Sequence, residues 1–405
     1  MSDPSDTSDT PDTSDTFTET TSTSWFARIG RAFLGVVFGI VLIIGSSIGL
    51  FWNEGRAVQT ARSLTEGAAL VVDIDPGRVD PGNEGKLVHI SAELKTKDKL
   101  SDPEFAIAAV AARLVRTVEM YQWTEKSTTE TRKNLGGSEE KVTTYTYAQG
   151  WSDRRADSAN FKHADGHRNP EMRYRNFEVA AADATLGSFR PGPAVLHHLA
   201  TDTDLRIDPS QLTSVKGKVG GASAIVDGKV YIGADPAQPR VGDLRVGYRI
   251  ASVGPVSIIG KQTGANFAEF QTKAGDKLLM AQSGTAGAGD MFKSAERDNQ
   301  ILTWIIRGGA IIAMFIGWLL LMRPLVVLAD VVPLLGDVLG AGAGLVAMLA
   351  TAVVAPAVIA FAWLWYRPLV SVVVVAIAAG LIFLIKRLAA SRSAARVAQP
   401  ALGSR

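Results

Sequence analysis

The chain contains no cysteine. Disulfides, thiolate metal sites and a cysteine nucleophile are thereby excluded, and any water-exposed domain must be held together by its own apolar core. Histidine is scarce as well. The residues are His89, His163, His167, His197 and His198, without an H-E-x-x-H pattern or comparable ligand spacing. His197 and His198 are adjacent, so one face of a helix does not present both. They are read as ordinary surface or core histidines, and neither a metal nor another cofactor is expected. G-x-S-x-G, the P-loop and the dinucleotide fingerprint are also missing. Basic residues are not clustered with aromatics as a nucleic-acid groove requires, so no nucleic-acid partner is expected.

Charge is absent locally rather than on average. Lys and Arg number 42 against 40 Asp and Glu, for a net charge of +2, yet Ala32 to Asn53 carries none. A bilayer core about 30 Å thick needs roughly 20 apolar helical residues, so this run is long enough to cross. It exceeds a signal-peptide core, follows a long polar tail and ends in Phe51-Trp52-Asn53-Glu54, which offers no small-residue cleavage site, so a retained helix is expected. Residues 1 to 24 repeat Ser, Asp, Thr and Pro with almost no apolar content and predict a disordered tail.

Three further apolar runs lie near the C-terminus. Ile301 to Met322 is uncharged except for Arg307, Val338 to Tyr366 is uncharged throughout, and Leu369 to Ile385 is shorter. Between the first two, Pro324 to Gly336 is too hydrophobic for a solvated loop but is interrupted by Asp330 and Pro333, and reads as an interfacial or re-entrant segment. Arg28 and Arg31 precede the first run, while Lys386, Arg387, Arg392, Arg396 and Arg405 follow the last. Short basic flanks stay in the cytoplasm, which places both termini there and requires an even number of spans.

The intervening residues read as mostly strand. Alternation through Val115, Thr117, Glu119, Tyr121 and Trp123, a turn at Asn134-Leu135-Gly136-Gly137 and the run Val142 to Tyr147 predict a hairpin. Gly242 to Ala251, Val256 to Gly260, Phe267 to Thr272 and Lys277 to Gln282 are further strand-like runs. Helix is expected over Arg56 to Leu70, continuing the first span, and over the Ala-rich Pro103 to Arg113.

Charges in or beside lipid are costly and tend to be functional. Arg307 sits about two turns into its run and reads as snorkelling to the nearer, outer interface, while Arg323 and Arg367 read as anchors at span ends. Asp330 and Asp337 are seven residues apart, on one helical face if Pro333 permits a helix, and with Arg307 are the candidates for an ion, headgroup or catalytic acid site. Their other reading is as two interfacial carboxylates in water. Gly35 with Gly39, Gly45 with Gly49, and Gly340 with Gly344 repeat at helix spacing and mark candidate packing faces, within one chain or between chains.

The segments Phe51 to Val58, Val118 to Trp123, Gly166-His167 with Asn169-Pro170, Val241 to Val246, and Trp363-Leu364-Trp365-Tyr366-Arg367-Pro368-Leu369 together resemble the LUMA (transmembrane protein 43) family, in the same order along nearly the whole chain from 50 to 370. The resemblance implies a four-span protein with its large domain on the lumenal side, in a family whose animal members reside in the endoplasmic reticulum and inner nuclear membrane and organise membrane protein complexes. The acidic Ser/Thr tail and the Ala-, Gly- and Val-rich composition depart from that family and suggest a bacterial relative, so a nuclear role is not carried over. The resemblance establishes no enzymatic activity.

The expected fold is therefore a membrane protein with four transmembrane helices, one N-terminal and three C-terminal, and a large β-rich α+β extracytoplasmic domain between the first and second. The boundaries are a disordered cytoplasmic tail at 1–27, spans at 28–53, 301–323, 338–366 and 367–386, the extracytoplasmic domain at 54–300, the interfacial or re-entrant segment at 324–337 and a basic cytoplasmic tail at 387–405. The expected function is that of a scaffold in the inner cell membrane, with membrane lipids, further copies of itself and other membrane proteins as partners. The alternative is a membrane-embedded enzyme or lipid-handling protein acting at the cytoplasmic face through Asp330 and Asp337. Three or four spans without a repeat leave little room for an alternating-access transporter.

Overall fold

A computed structural model of the chain describes residues 15–368 together with 372, 376 and 380. The first fourteen residues and the basic tail 387–405 lie outside the described residues, as does almost all of the span expected over 367–386. The chain opens with β1 (Asp15–Thr23) and α1 (Trp25–Leu70). It continues through β2 (Val72–Asp73), β3 (Leu87–Lys95), β4 (Lys99–Asp102), β5 (Ile107–Val110), β6 (Arg113–Lys133), β7 (Glu139–Ser152), β8 (Phe177–Ala180) and β9 (Thr185–Leu186). Next come α2 (Pro193–Leu196), β10 (Thr203–Leu205), α3 (Leu212–Val219), β11 (Ser223–Val226), β12 (Lys229–Ile232), β13 (Leu244–Ala251) and β14 (Gly254–Thr263). Short strands β15 (Asn266–Ala268), β16 (Phe270–Gln271), β17 (Lys277–Leu278) and β18 (Met280–Ser283) lead into α4 (Ala288–Ala329) and α5 (Pro333–Tyr366).

These elements form two compact units. The first takes in the described residues up to Ser24, Ser63–Asn134 and Ser138–Ala295, and is β-rich. An eight-stranded sheet runs β1-β7-β6-β13-β12-β11, with β8 beside β6 and β10 beside β13; a six-stranded sheet runs β15-β14-β3-β2, with β18 beside β14 and β9 beside β3. The expected hairpin is β6 and β7, paired from Met120↔Ser152 to Lys133↔Glu139. Gly136 (φ 88°) and Gly137 (φ 77°) turn the chain in the left-handed region that side chains avoid. Strict alternation along β6 buries Leu114, Val118 and Met120 on one face. They join Val88, Ile90 and Leu94 of β3, Val246 of β13 and Ile258 of β14 in one core, where each such side chain contributes about 1.5–3 kcal/mol by leaving water.

Two expectations for this unit need correction. Residues 15–23, placed in the disordered tail, form β1 and pair with β7 from Asp15↔Tyr147 to Thr23↔Glu139. Their Thr-rich run suits a strand once a partner edge supplies the backbone bonds. Pro103 to Arg113 is a turn followed by β5 rather than a helix. Ile107 and Ala109 alternate with more exposed neighbours in β5, a period of two that a run of alanines conceals.

The second unit comprises Trp25–Arg62, Leu135–Gly137 and the described residues from Glu296 on. The helices α1, α4 and α5 are each long and apolar enough to cross a membrane. Most of their apolar surface faces outward, including Phe33, Phe38 and Ile48 of α1, Ile312 of α4 and Val353 of α5, which suits lipid and is unfavourable in water. Leu50, Met314 and Ala355 meet where the three helices pack. Gly39 and Gly317 face each other so closely that a Cβ on Gly39 would lie 2.7 Å from the Gly317 carbonyl oxygen. The stretch 324–337 is no separate segment: α4 continues through Pro324 to Ala329, a turn covers 330–332, and α5 starts with Pro333 in its first turn, where a missing N–H costs nothing.

Candidate functional site

Immediately after its uncharged run, α1 carries Asn53, Glu54 and Arg56. At the same depth α4 presents Asn299, Thr303 and Arg307, spaced by four and so on one face, and α5 presents Trp363. Glu54 is 2% exposed. Its carboxylate accepts from Arg307 Nε at 2.6 Å and Nη2 at 2.8 Å, and from Trp363 Nε1 at 2.9 Å. Arg56 donates to Asn299 Oδ1 and Thr303 Oγ1, both at 2.9 Å, and Asn53 Nδ2 donates to the Thr303 carbonyl at 3.2 Å. A charge-assisted, bidentate pair of this kind fixes orientation as well as contact. Arg307 thus turns inward to a carboxylate instead of snorkelling outward, because Glu54 lies at its own depth. A cavity of about 310 Å³ adjoins the pair, with Gln300, Thr303, Arg307, Trp363 and Arg367 among its lining.

A second buried pair joins the opposite ends of these helices. Arg28 of α1 binds Asp330 and donates to the Gly137 carbonyl at 2.6 Å. Trp25 Nε1 donates to the Val327 carbonyl at 2.9 Å, and the Val331 carbonyl accepts from Gly136 N–H at 3.1 Å. Gly336 is required here, since a Cβ at that position would collide with the Asp330 carboxylate. Asp337 is exposed on α5. The two aspartates therefore do not converge: one is in the turn after α4 and buried against arginine, the other on the surface. Along α1, Arg28 and Glu54 are about 39 Å apart at 1.5 Å per residue, close to a bilayer with its headgroup layers.

The packing glycines divide. Gly39 makes the contact with Gly317, Gly35 and Gly340 lie at ordinary distance from Leu320 and Val326 (3.7 Å each), and Gly45, Gly49 and Gly344 have no neighbour among the described residues within 4 Å of an added Cβ.

In the β-rich unit the buried charges are structural. Arg116 on β6 donates to Asp102 at 2.6 Å, Glu104 at 2.5 Å and the Arg175 carbonyl, and Tyr248 donates to Asp102 at 2.7 Å. Burial pulls the Arg116 guanidinium down, but the bonds to Glu104 and Asp102 and their charge outweigh it and hold it above its usual range. Burial, then the bond to Asp102, pushes the Tyr248 phenol far up, so it stays neutral. Asp73, His89, Ser91 and Ser257 resemble the parts of a nucleophilic triad, but His89 directs Nδ1 to Asp73 (2.6 Å) and Nε2 to the Ala286 carbonyl (2.9 Å), leaving no base for either serine. Among the described residues, no group of three or more His, Asp or Glu is arranged to hold a metal ion.

Sequence reasoning singled out Arg307 and Asp330 but passed over their partners. Glu54 had a signal: an acidic residue closing one apolar run, at the depth where another run contains a lone arginine. Arg28 enters the sequence reading only as a basic flank that sets orientation.

A family profile described as transmembrane protein 43 matches residues 120–368. Transmembrane protein 43 of Homo sapiens is 33% identical over 376 residues, covering 89% of this chain and 91% of the relative. The Mus musculus protein of that name is 32% identical over 370 residues, covering 87% and 89%. The transmembrane protein 43 homolog of Drosophila melanogaster is 30% identical over 291 residues, covering 70% and 74%. No solved structure matches.

Proposed function

Because the chain belongs to the transmembrane protein 43 family, we propose that it is an integral membrane scaffold, which gathers membrane proteins, lipids and further copies of itself into one assembly. The observation that carries this reading is how the charges of the three long helices are used. Glu54 with Arg307 and Arg28 with Asp330 bind one helix to another, which fixes the helices and leaves their outward faces for neighbours. Among the described residues, Gly45 and Gly49 lie on such open ground. An acid site built from Asp330 and Asp337 is disfavoured, since one carboxylate is buried against Arg28 and the other is exposed.

The proposed setting is the inner membrane of a bacterial cell, with both termini in the cytoplasm, the β-rich domain outside it and 367–386 as the fourth span; the pairing of β1 with β7 stands against separating the N-terminus from that domain. The basic flanks support this placement. Cross-linking in native membranes, followed by mass analysis, is expected to recover the chain joined to itself or to other membrane proteins. Recovery of isolated monomers alone overturns the scaffold reading.

A further inference from the structure

We propose that the cavity beside Glu54 binds the phosphodiester headgroup of a membrane phospholipid, whose acyl chains lie along the outer face of α4. Depth supplies the first argument. Trp52, Trp304 and Trp365 are all well exposed, one on each long helix, and each lies within a turn of Glu54, Arg307 or Trp363, which bond to one another. Tryptophans exposed at one level on three apolar helices mark the headgroup layer of a bilayer. The cavity therefore opens where headgroups are, and its volume of about 310 Å³ accommodates a small polar group.

Charge supplies the second. Arg307 is neutralised by Glu54. The cavity is lined by Glu54 and Glu296 against Arg307 and Arg367, and Arg297 on the adjoining groove adds one positive charge, which favours a singly charged phosphodiester. The negative end of the α5 dipole, which would repel a phosphate, is met by Arg62, donating to the Tyr366 carbonyl at 2.8 Å. The third argument is continuity. Gln300 and Trp304 line both this cavity and an apolar groove with Ile301 and Ile305 on α4, so a ligand with its polar end in the cavity has its apolar end in the groove. A phospholipid has that shape; free phosphate does not.

Full-length protein in detergent, stripped of lipid, should be titrated with phosphatidylglycerol, with diacylglycerol of the same chains and with glycerol phosphate, and read by native mass spectrometry. The expected result is one tightly held phosphatidylglycerol per chain. Arg297→Gln combined with Arg367→Gln should weaken it at least roughly tenfold, the loss of a hydrogen bond to a charged group. Both arginines are exposed, so an unchanged melting temperature verifies the fold. Trp304→Ala should weaken the lipid and leave any glycerol phosphate binding unaltered. Equal retention of diacylglycerol, or of phosphatidylglycerol by the double variant, overturns the proposal. Displacement of the lipid by equimolar glycerol phosphate also overturns it and assigns the cavity to free phosphate.

Discussion

Glu54 accepts three hydrogen bonds and is almost fully buried, so its replacement has a calculable sign. Glu54→Gln leaves Arg307 without a counter-charge and should cost about 3–5 kcal/mol, read as a lower melting temperature of the purified protein. Replacing both members, Glu54→Leu with Arg307→Met, should restore much of that loss, because apolar neighbours suit the site once neither charge is left alone. Glu54→Gln that melts with the wild type contradicts the assigned pairing. A second residue gives a pH dependence. The bond from Arg113 holds the Glu178 carboxyl below its usual 4.5, against burial and with help from the Arg113 charge and from His197. A depressed carboxylate stabilises fully above its unfolded value and loses that contribution as pH falls through the folded one. Glu178→Gln should therefore narrow its stability difference from wild type as pH drops below 4.5. A difference of equal size at pH 7 and at pH 3 would rule out this linkage.

Among the elements, those that present a period to the solvent boundary were legible. The hairpin was visible because the first half of β6 alternates, through Trp123, and Gly136-Gly137 follow the strand as a turn. The long helices were visible because their uncharged runs exceed anything a soluble core requires. Elements that take their identity from a partner were not. β1 is a polar run made into a strand by the edge of β7, and β5 is a set of small side chains whose period appears only on packing. The buried ion pairs were half legible, since a charge within an apolar run stands out but its partner across helices does not. Glycines show the same limit: spacing marks Gly39 and Gly45 alike, yet only Gly39 has a backbone oxygen within reach of a Cβ. Gly39→Leu should thus separate α1 from α4 and lower the melting temperature. Gly45→Leu should leave it unchanged and, if the open face meets another copy, reduce the cross-linked dimer. Equal destabilisation by the two contradicts the contact map.

For the whole molecule, two ionic clusters about 39 Å apart along α1 bracket a bilayer, and the placement of its two sides becomes an experimental question. A chain without cysteine suits it. Glu84→Cys in the β-rich unit is expected to react with an impermeant maleimide on intact cells, and Thr18→Cys in β1 only after lysis. The β1–β7 ladder opposes that expectation, since it joins a strand preceding α1 to one following it. Labelling of both from outside would put them on one side and remove the cytoplasmic N-terminus.

The same ladder has a consequence for synthesis. Asp15 leaves the ribosome long before Tyr147, its partner, has been made. The strand must wait unpaired while α1 and the hairpin emerge, and closing so long a loop carries an entropic cost that local hairpins avoid. β1 is thus a late addition to its sheet. Until it arrives, the outer edge of β7 is bare backbone, open to the first extended segment that reaches it, from this chain or from a neighbouring one.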